Sequence, residues 1–336
     1  MTKSLKVNYP SIADILRSSH NYIAPNNQGI DTIQQIVKYE VFKKMAERLG
    51  LTIEPMPHNK KLNKKIEHEI QSDSKRRLNI DEFSPIVERI KLPKVGAKDK
   101  DFYISIVRNT PTLFDVATHH KKAKDTFCMV TYAGLHQPSK KISSEAMKMV
   151  SRFLKRKAFK LHRVDIAIDT YDHRAINKEG AKRFKSALMP YSKRGVILEK
   201  NSYYLNQIEH QRIRKVNYYD KYLKQLEQQK KEKITDDLKG WKRLEVSITF
   251  DVTKRENRGF MQYIESMTFI DDLYEIGEMA QLGGIQTYDD DYLIYQLNSW
   301  IDNRFMNNHE SQEQFNSVQS LERFKSSDFR RYLLPF

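Results

Sequence analysis

The heptapeptide Arg163-Val-Asp-Ile-Ala-Ile-Asp169 decides how this chain folds. Successive side chains of a β-strand point to opposite faces. As a strand, the segment puts Val164, Ile166 and Ile168 on one side and Arg163, Asp165, Ala167 and Asp169 on the other. The first side needs a core. The second carries two carboxylates and a guanidinium, and Asp suits strand interiors poorly, so the pair points to a use. The stretch Trp241-Lys-Arg-Leu-Glu-Val-Ser-Ile-Thr249 has the same design. Leu244, Val246 and Ile248 share one face; Trp241, Arg243, Glu245, Ser247 and Thr249 share the other. Placed side by side, the two strands bring Asp165 or Asp169 towards Glu245.

Working outward, FYISIV at 102–107 and FCMVTY at 127–132 are β-prone. Ser143 or Ser144 caps a helix whose face carries Ala146, Met149, Val150, Phe153 and Leu154. A strand at 161–169 follows directly, so strand, helix and strand predict a crossover on a sheet. A helix at 177–188 ends before Pro190. Further strands are expected at 195–199, 202–206 and 213–219, then a Lys/Gln/Glu-rich helix at 220–233 leading to the strand at 241–250. Upstream, Asp31 as N-cap, the spacing of Ile33, Ile36, Val37, Val41, Met45 and Leu49, and Gly50 as terminator predict one amphipathic helix over 31–49. A short helix is expected after Pro10, and residues 58–78 read as a basic connection or exposed helix. Beyond Glu256 the patterns are short and helical, including YDDDYLIYQLNSWIDNRF at 288–305 with an acidic first turn. No internal repeat is visible. The reading is an α+β fold with a mainly antiparallel central sheet, flanking helices, and helical N- and C-terminal parts. It divides the chain into a basic helical region (1–99), an α/β catalytic domain (100–255) and an acidic, mainly helical region (256–336).

Charge narrows the function. The 336 residues hold 59 Lys and Arg against 43 Asp and Glu, a net charge of +16. Only 6 basic but 14 acidic residues fall after position 255, which leaves 53 basic and 29 acidic residues before it. A polyanion is therefore the expected partner of the first 255 residues, and nucleic acid is the commonest one. The single cysteine, Cys128, excludes an intrachain disulfide framework. No signal-like stretch and no run of about 18 apolar residues is present, so a cytoplasmic location without membrane contact is expected. The absence of a GxxxxGK[ST] pattern argues against an ATP-driven helicase. No CxxC pair exists, and His119 and His120, being adjacent, would face opposite ways on a strand.

Two carboxylate-bearing strands offer oxygen ligands of the kind Mg²⁺ or Mn²⁺ takes, completed by water and a phosphate oxygen. Asp165, Asp169 and Glu245 are the candidate ligands. Tyrosines cluster between the strands, at Tyr203, Tyr204, Tyr218, Tyr219 and Tyr222, and Arg212, Arg214, Lys215 and Lys221 around Tyr218 and Tyr219 would bring a DNA phosphate to them. A phenolate that attacks a phosphodiester keeps the bond energy in a phosphotyrosine and allows resealing. Against this stands a plainer reading, a DNA-binding replication or partition factor whose carboxylates pair structurally with Arg163 and Arg243.

RVDIAIDTYD, VNYYDKYLK and WKRLEVSITF, in that order, resemble the core signature of the trans-acting initiators of plasmid rolling-circle replication, over about residues 100–255. Filamentous-phage initiators share a looser YDK element. The resemblance implies a dimeric enzyme that binds an origin as double- and single-stranded DNA, nicks one strand, uses a divalent metal without a His pair and rejoins the strand after replication. Host helicase and polymerase would be its partners. By position it makes Tyr219 the nucleophile, with Tyr218 the rival because the tyrosine is doubled. Asp169 or Asp165, together with Glu245, matches the metal carboxylates, and Arg163, Arg243 and Lys221 would be phosphate-orienting neighbours.

Overall fold

The computed structural model describes residues 28–56, 85–96, 101–123, 125–136, 142–171, 174–187, 197–205, 208–228, 239–254 and 259–282. The expected segments 58–78 and 288–305, and the helix after Pro10, lie outside these residues.

Among the described residues, ten strands form a single sheet: β1 (Gln28–Lys38), β2 (Glu54–Pro55), β3 (Ile86–Lys91), β4 (Tyr103–Arg108), β5 (Phe127–Ala133), β6 (Lys160–Tyr171), β7 (Ile197–Glu199), β8 (Ser202–Leu205), β9 (Ile213–Asp220) and β10 (Trp241–Thr249). The helices are α1 (Tyr39–Arg48), α2 (Pro111–His119), α3 (Ser144–Leu154), α4 (Lys178–Ala187), α5 (Lys221–Gln228), α6 (Phe260–Ile264) and α7 (Met267–Leu282). The strand order is β2-β3-β4-β5-β1-β6-β10-β9-β8-β7, and every neighbouring pair is antiparallel. The fold is α+β. No described helix is long and apolar enough to cross a membrane.

Most helices lie on one side of the sheet. Val164, Ile166 and Ile168 of β6 and Leu244, Val246 and Ile248 of β10 point there, into a core completed by Phe42 of α1, Phe153 of α3, Phe184 of α4, Phe260 of α6 and Phe269 of α7. Ser143 caps α3, its hydroxyl accepting from Ala146 N at 3.2 Å. The predicted crossover is real, but α3 carries the chain from β5 over β1 to β6 rather than to an adjacent strand. The other face is polar and bears two helices. α2 covers Ile36 and Phe127 with Leu113, Val116 and Ala117. α5 lies over Tyr219, as described below.

Residues 31–38 are not helical. They belong to β1, which sits at the sheet centre between β5 and β6. Register shifts between Ile30 and Thr32 and between Gln34 and Gln35 break its period of two, and this imitates helical spacing. Only 39–48 form the helix. Three strands from before residue 100 are in the sheet, and α6 and α7 complete the core from beyond 256.

The order of elements reveals a repeat that the sequence hides. β1-α1-β2-β3-β4-α2-β5 and β6-α4-β7-β8-β9-α5-β10 have the same plan. From the centre outward one half runs β1, β5, β4, β3, β2 and the other β6, β10, β9, β8, β7. The two halves meet at the β1–β6 ladder, where Thr32 pairs with Asp165.

Candidate functional site

The polar face of β6, β10 and β9 carries two distinct clusters. The first is a buried ionic knot. Arg243 lies directly across the ladder from Asp169, and both are 0% exposed. Arg243 donates to Asp169 through Nε at 2.7 Å and Nη2 at 2.8 Å. Trp241 Nε1 donates to the same carboxylate at 3.0 Å, and His136 Nε2 lies 2.9 Å from it. Arg243 Nη1 reaches on to Asp31 of β1 at 3.0 Å. Burial alone would raise the Asp169 pKa, but the Arg243 charge and the hydrogen bonds from His136 and Arg243 hold it well below the usual carboxylate range. Burial pushes the His136 pKa down, partly offset by the Asp169 hydrogen bond and charge. The knot ties β1, β6, β10 and the segment after β5 together.

The second cluster surrounds Tyr219. Its hydroxyl donates to Glu245 Oε2 at 3.3 Å. Asp220 makes this arrangement possible. Its Oδ1 accepts from Leu223 N at 2.8 Å, so it acts as the N-cap that turns β9 straight into α5. Its Oδ2 holds Lys242 Nζ at 2.7 Å. The tight turn folds α5 back over the strand, which brings Lys224 Nζ to 4.0 Å and Lys221 Nζ to 5.9 Å from the Tyr219 ring centroid. Lys221 is 5% exposed and also lies over Trp241, at 5.8 Å. Burial, then the Arg243 charge, lowers its pKa to about 8. Burial raises the Tyr219 phenol well above its ordinary value, with Arg243 opposing and Glu245 adding.

Beside Glu245, Asn217 stands directly opposite on β9, and Ser247 stands opposite Asp165. Asn217 Oδ1 and Ser247 Oγ are buried without a hydrogen-bond partner. Arg163 clasps Asp165 from two residues away on the same strand, with Nε to Oδ1 at 2.6 Å. Burial lowers the Lys215 pKa, with Glu245 opposing.

These positions correct several expectations. Asp169 is unsuited to be a metal ligand, because four N–H groups from three residues occupy its two oxygens. Among the described residues no group of three or more His, Cys, Asp or Glu is placed to hold a metal ion. Arg243 is sealed from solvent and cannot reach DNA. Arg212 is drawn to Asp272 of α7, with Nε 2.9 Å from Oδ1. Of the four arginines expected at DNA, Arg214 is exposed and Arg163 is committed to Asp165. Tyr218 points to the opposite face from Tyr219, stacked among Phe184 and Tyr203 at 6.1 Å from each. Tyr222 is buried, and Tyr204 is half-buried on the polar face. Asp31, His136, Asn217 and Lys224 take part without having been anticipated. For Asp31 the signal was misread as a helix cap; His136 lies in a segment with no periodicity to place it.

No family model matches the chain, and no curated protein matches it in sequence. Among solved structures, that of a rolling circle replication initiator protein from Geobacillus stearothermophilus is similar at a TM-score of 0.30 and 14% identity, over 76% of this chain and 84% of that one. At that degree of overlap the likeness assigns no residue a role.

Proposed function

We propose that this protein initiates rolling-circle replication by nicking one DNA strand with Tyr219 and later rejoining it. The observation that supports the reading best is the setting of Tyr219. It alone of the two adjacent tyrosines shares a face with Glu245, and it lies beneath two lysines. The order of the three motifs, with the basic excess in the first 255 residues, supplies the DNA context.

In this reading Lys224 and Lys215 draw a phosphodiester to the polar face. Glu245 holds the Tyr219 hydroxyl in place. The phenol's proton passes to Glu245 Oε2, the acceptor 3.3 Å from its oxygen. The phenol oxygen bonds to phosphorus, the P–O3′ bond breaks, and the 3′ oxygen leaves as a hydroxyl after taking up a proton. The strand's 5′ phosphate stays on Tyr219, and reversal rejoins it. A divalent ion would be held by Glu245 with the unpartnered oxygens of Asn217 and Ser247, and by Asp165 if Arg163, which bonds both its oxygens, turned to the phosphate; when bound it would stabilise charge on the phosphate. The donor set is all oxygen, which fits Mg²⁺ or Mn²⁺. Origin recognition and a homodimer belong to the same reading.

The test uses supercoiled plasmid carrying the protein's own coding region and flanks, with Mg²⁺ or Mn²⁺. A nick and a denaturation-resistant protein–DNA adduct are expected, with the adduct mapping to Tyr219. An adduct on Tyr218, Tyr203, Tyr204 or Tyr222 overturns the assignment; no nick and no adduct under any metal overturns the enzyme.

A second reading has its own observation. Asp169 and Asp165 are paired with Arg243 and Arg163, as a non-catalytic DNA-binding factor would have them. It expects metal-independent, salt-sensitive binding that Glu245→Ala leaves intact, and no cleavage.

A further inference from the structure

A cleft of about 400 Å³ opens beside the Tyr219 cluster, lined by Lys200, Asn201, Tyr204, Asp220, Lys224 and Glu227. Its size falls in the range of small-ligand sites, about 300–1,000 Å³. Lys224 is the shared wall, since its Nζ sits 4.0 Å from the Tyr219 ring centroid. The two-residue turn Lys200–Asn201 joins β7 to β8, closed by the Glu199–Ser202 pair. Ser202 in turn pairs with Tyr219. The turn is fastened to the start of α5, for Asp220 N donates to Asn201 O at 3.0 Å.

Two features single this cleft out. Lys200 has φ 46. Turns of this kind normally place Asn, Asp or Gly there, and a lysine in the left-handed region is strained. Strain of this sort collects at functional positions. Tyr204 is half-buried on the polar face, across from Asn217, with Lys215 Nζ 5.4 Å from its ring centroid. An aromatic ring with lysines around it stacks an unpaired base and holds the adjoining phosphate. Both oxygens of Asp220 are already engaged, by Leu223 N and Lys242. The remaining carboxylate, on the exposed Glu227, can accept from an exocyclic amino group.

We infer that this cleft takes one unstacked nucleotide of single-stranded DNA, its base on Tyr204 and its phosphate at Lys200 and Lys224, next to the phosphate that Tyr219 attacks. The inference rests on the nicking reading for its position, but not for its ligand.

The test uses the full chain carrying Tyr219→Phe, so that nothing turns over. Fluorescence anisotropy follows its binding to single-stranded oligonucleotides spanning the nick, each with one abasic position. If no nick is found, the same scan is run on any single strand the chain binds, so that failure of the nicking reading is seen separately. One abasic position should weaken binding by about tenfold, the size of a lost stacking contact. Adding Tyr204→Leu should weaken the intact oligonucleotide by a similar factor and abolish the response to that position; Tyr204→Phe should restore both. Lys200→Gly, which suits the turn's backbone, should weaken all oligonucleotides alike. Circular dichroism and melting establish that each variant is folded. Unchanged binding by folded Tyr204→Leu and Lys200→Gly overturns the inference, and so does failure of the parent to bind any single strand.

Discussion

Asp169→Asn separates a structural carboxylate from a catalytic one. The substitution keeps volume and shape but removes the charge. An amide oxygen can still accept from Trp241 Nε1 and Arg243 Nε, yet the amide NH₂ then meets Arg243 Nη2 and His136 Nε2, which lie 2.8 and 2.9 Å from the present Oδ2. Arg243 stays charged and buried with its main counter-ion gone. Breaking a buried pair from one side costs about 3–5 kcal/mol. Asp31, 3.0 Å from Nη1, remains as a partial counter-ion, so the lower end, about 3 kcal/mol, is expected. At about 2–4 °C per kcal/mol for a domain of this size, the melting temperature should fall by about 6–12 °C. Urea unfolding followed by tryptophan fluorescence measures it directly, since Trp241 is in the knot and is one of two tryptophans. The midpoint should drop with the slope unchanged. The acid limb gives a second signature. With its pKa held below the unfolded value, Asp169 contributes stability that is complete above about pH 4 and lost as pH falls towards the folded pKa. Below about pH 4, Asp169→Asn should therefore lose stability less steeply than the parent. The reasoning is refuted if Asp169→Asn melts like the parent while losing metal-dependent nicking, for Asp169 would then be a ligand after all.

Tyr219→Phe should lose the covalent adduct and keep fold and DNA affinity, whereas Tyr218→Phe should keep most nicking; Tyr218→Ala, which empties a ring from the aromatic stack, should cost about 3–5 kcal/mol in urea unfolding. Holding Lys221 near 8 rather than 10.5 costs the fold about 3 kcal/mol below pH 8, a penalty that fades as pH rises towards 10.5, so Lys221→Met should unfold at higher urea at neutral pH. A fragment ending at residue 255 removes Phe260, Phe269, Leu273 and Ile276 from the core. At about 1.5–3 kcal/mol per buried side chain that loss rivals the whole stability of a domain, so the fragment should lack a cooperative thermal transition by circular dichroism.

The central strands were legible because their two faces differ so sharply. RVDIAID and WKRLEVSIT alternate cleanly, but alternation leaves the register open: Asp169 meets Arg243, and Glu245 stands opposite Ala167. The helix cap at Ser143, one of the two serines the sequence offers, is a local signal of the same clarity. β1 was not legible. Two register irregularities within eleven residues destroy its alternation, and Ile33, Ile36 and Val37 then fall at helical spacing. The role of Asp169 was not legible either. Alternation puts it on the correct face, but only the arrival of His136 and Trp241 from other segments shows that its oxygens are spent. A carboxylate on a polar strand face reads the same in sequence whether it binds a metal or an arginine.

The two-fold plan explains both what the sequence shows and what it conceals. Both central ladders open in the same way, Lys38 with Phe127 in one half and Tyr171 with Trp241 in the other. From that match, ladder by ladder, Thr32 corresponds to Asp165, Ile36 to Asp169, Thr131 to Glu245, Met129 to Arg243, Ser105 to Asn217 and Val107 to Tyr219. Asp165, Asp169, Glu245, Arg243 and Tyr219 thus each have an uncharged, non-phenolic counterpart in the first half, whereas Asp220 corresponds to Arg108. The core faces, by contrast, are apolar in both halves, as the shared plan demands. A backbone plan survives any set of side chains that keeps one face apolar, whereas a reactive site needs particular groups in one place. The halves thus keep their topology while sharing almost no sequence pattern on the polar face. The comparison also bears on the chemistry. Ile36 sits under α2 in a small apolar cluster, where Asp169 sits in the ionic knot under α5. The same position in the same fold is thus satisfied by packing alone. The knot is not required by the plan; it fixes the start of β10 beside Tyr219, as the proposed nicking would need.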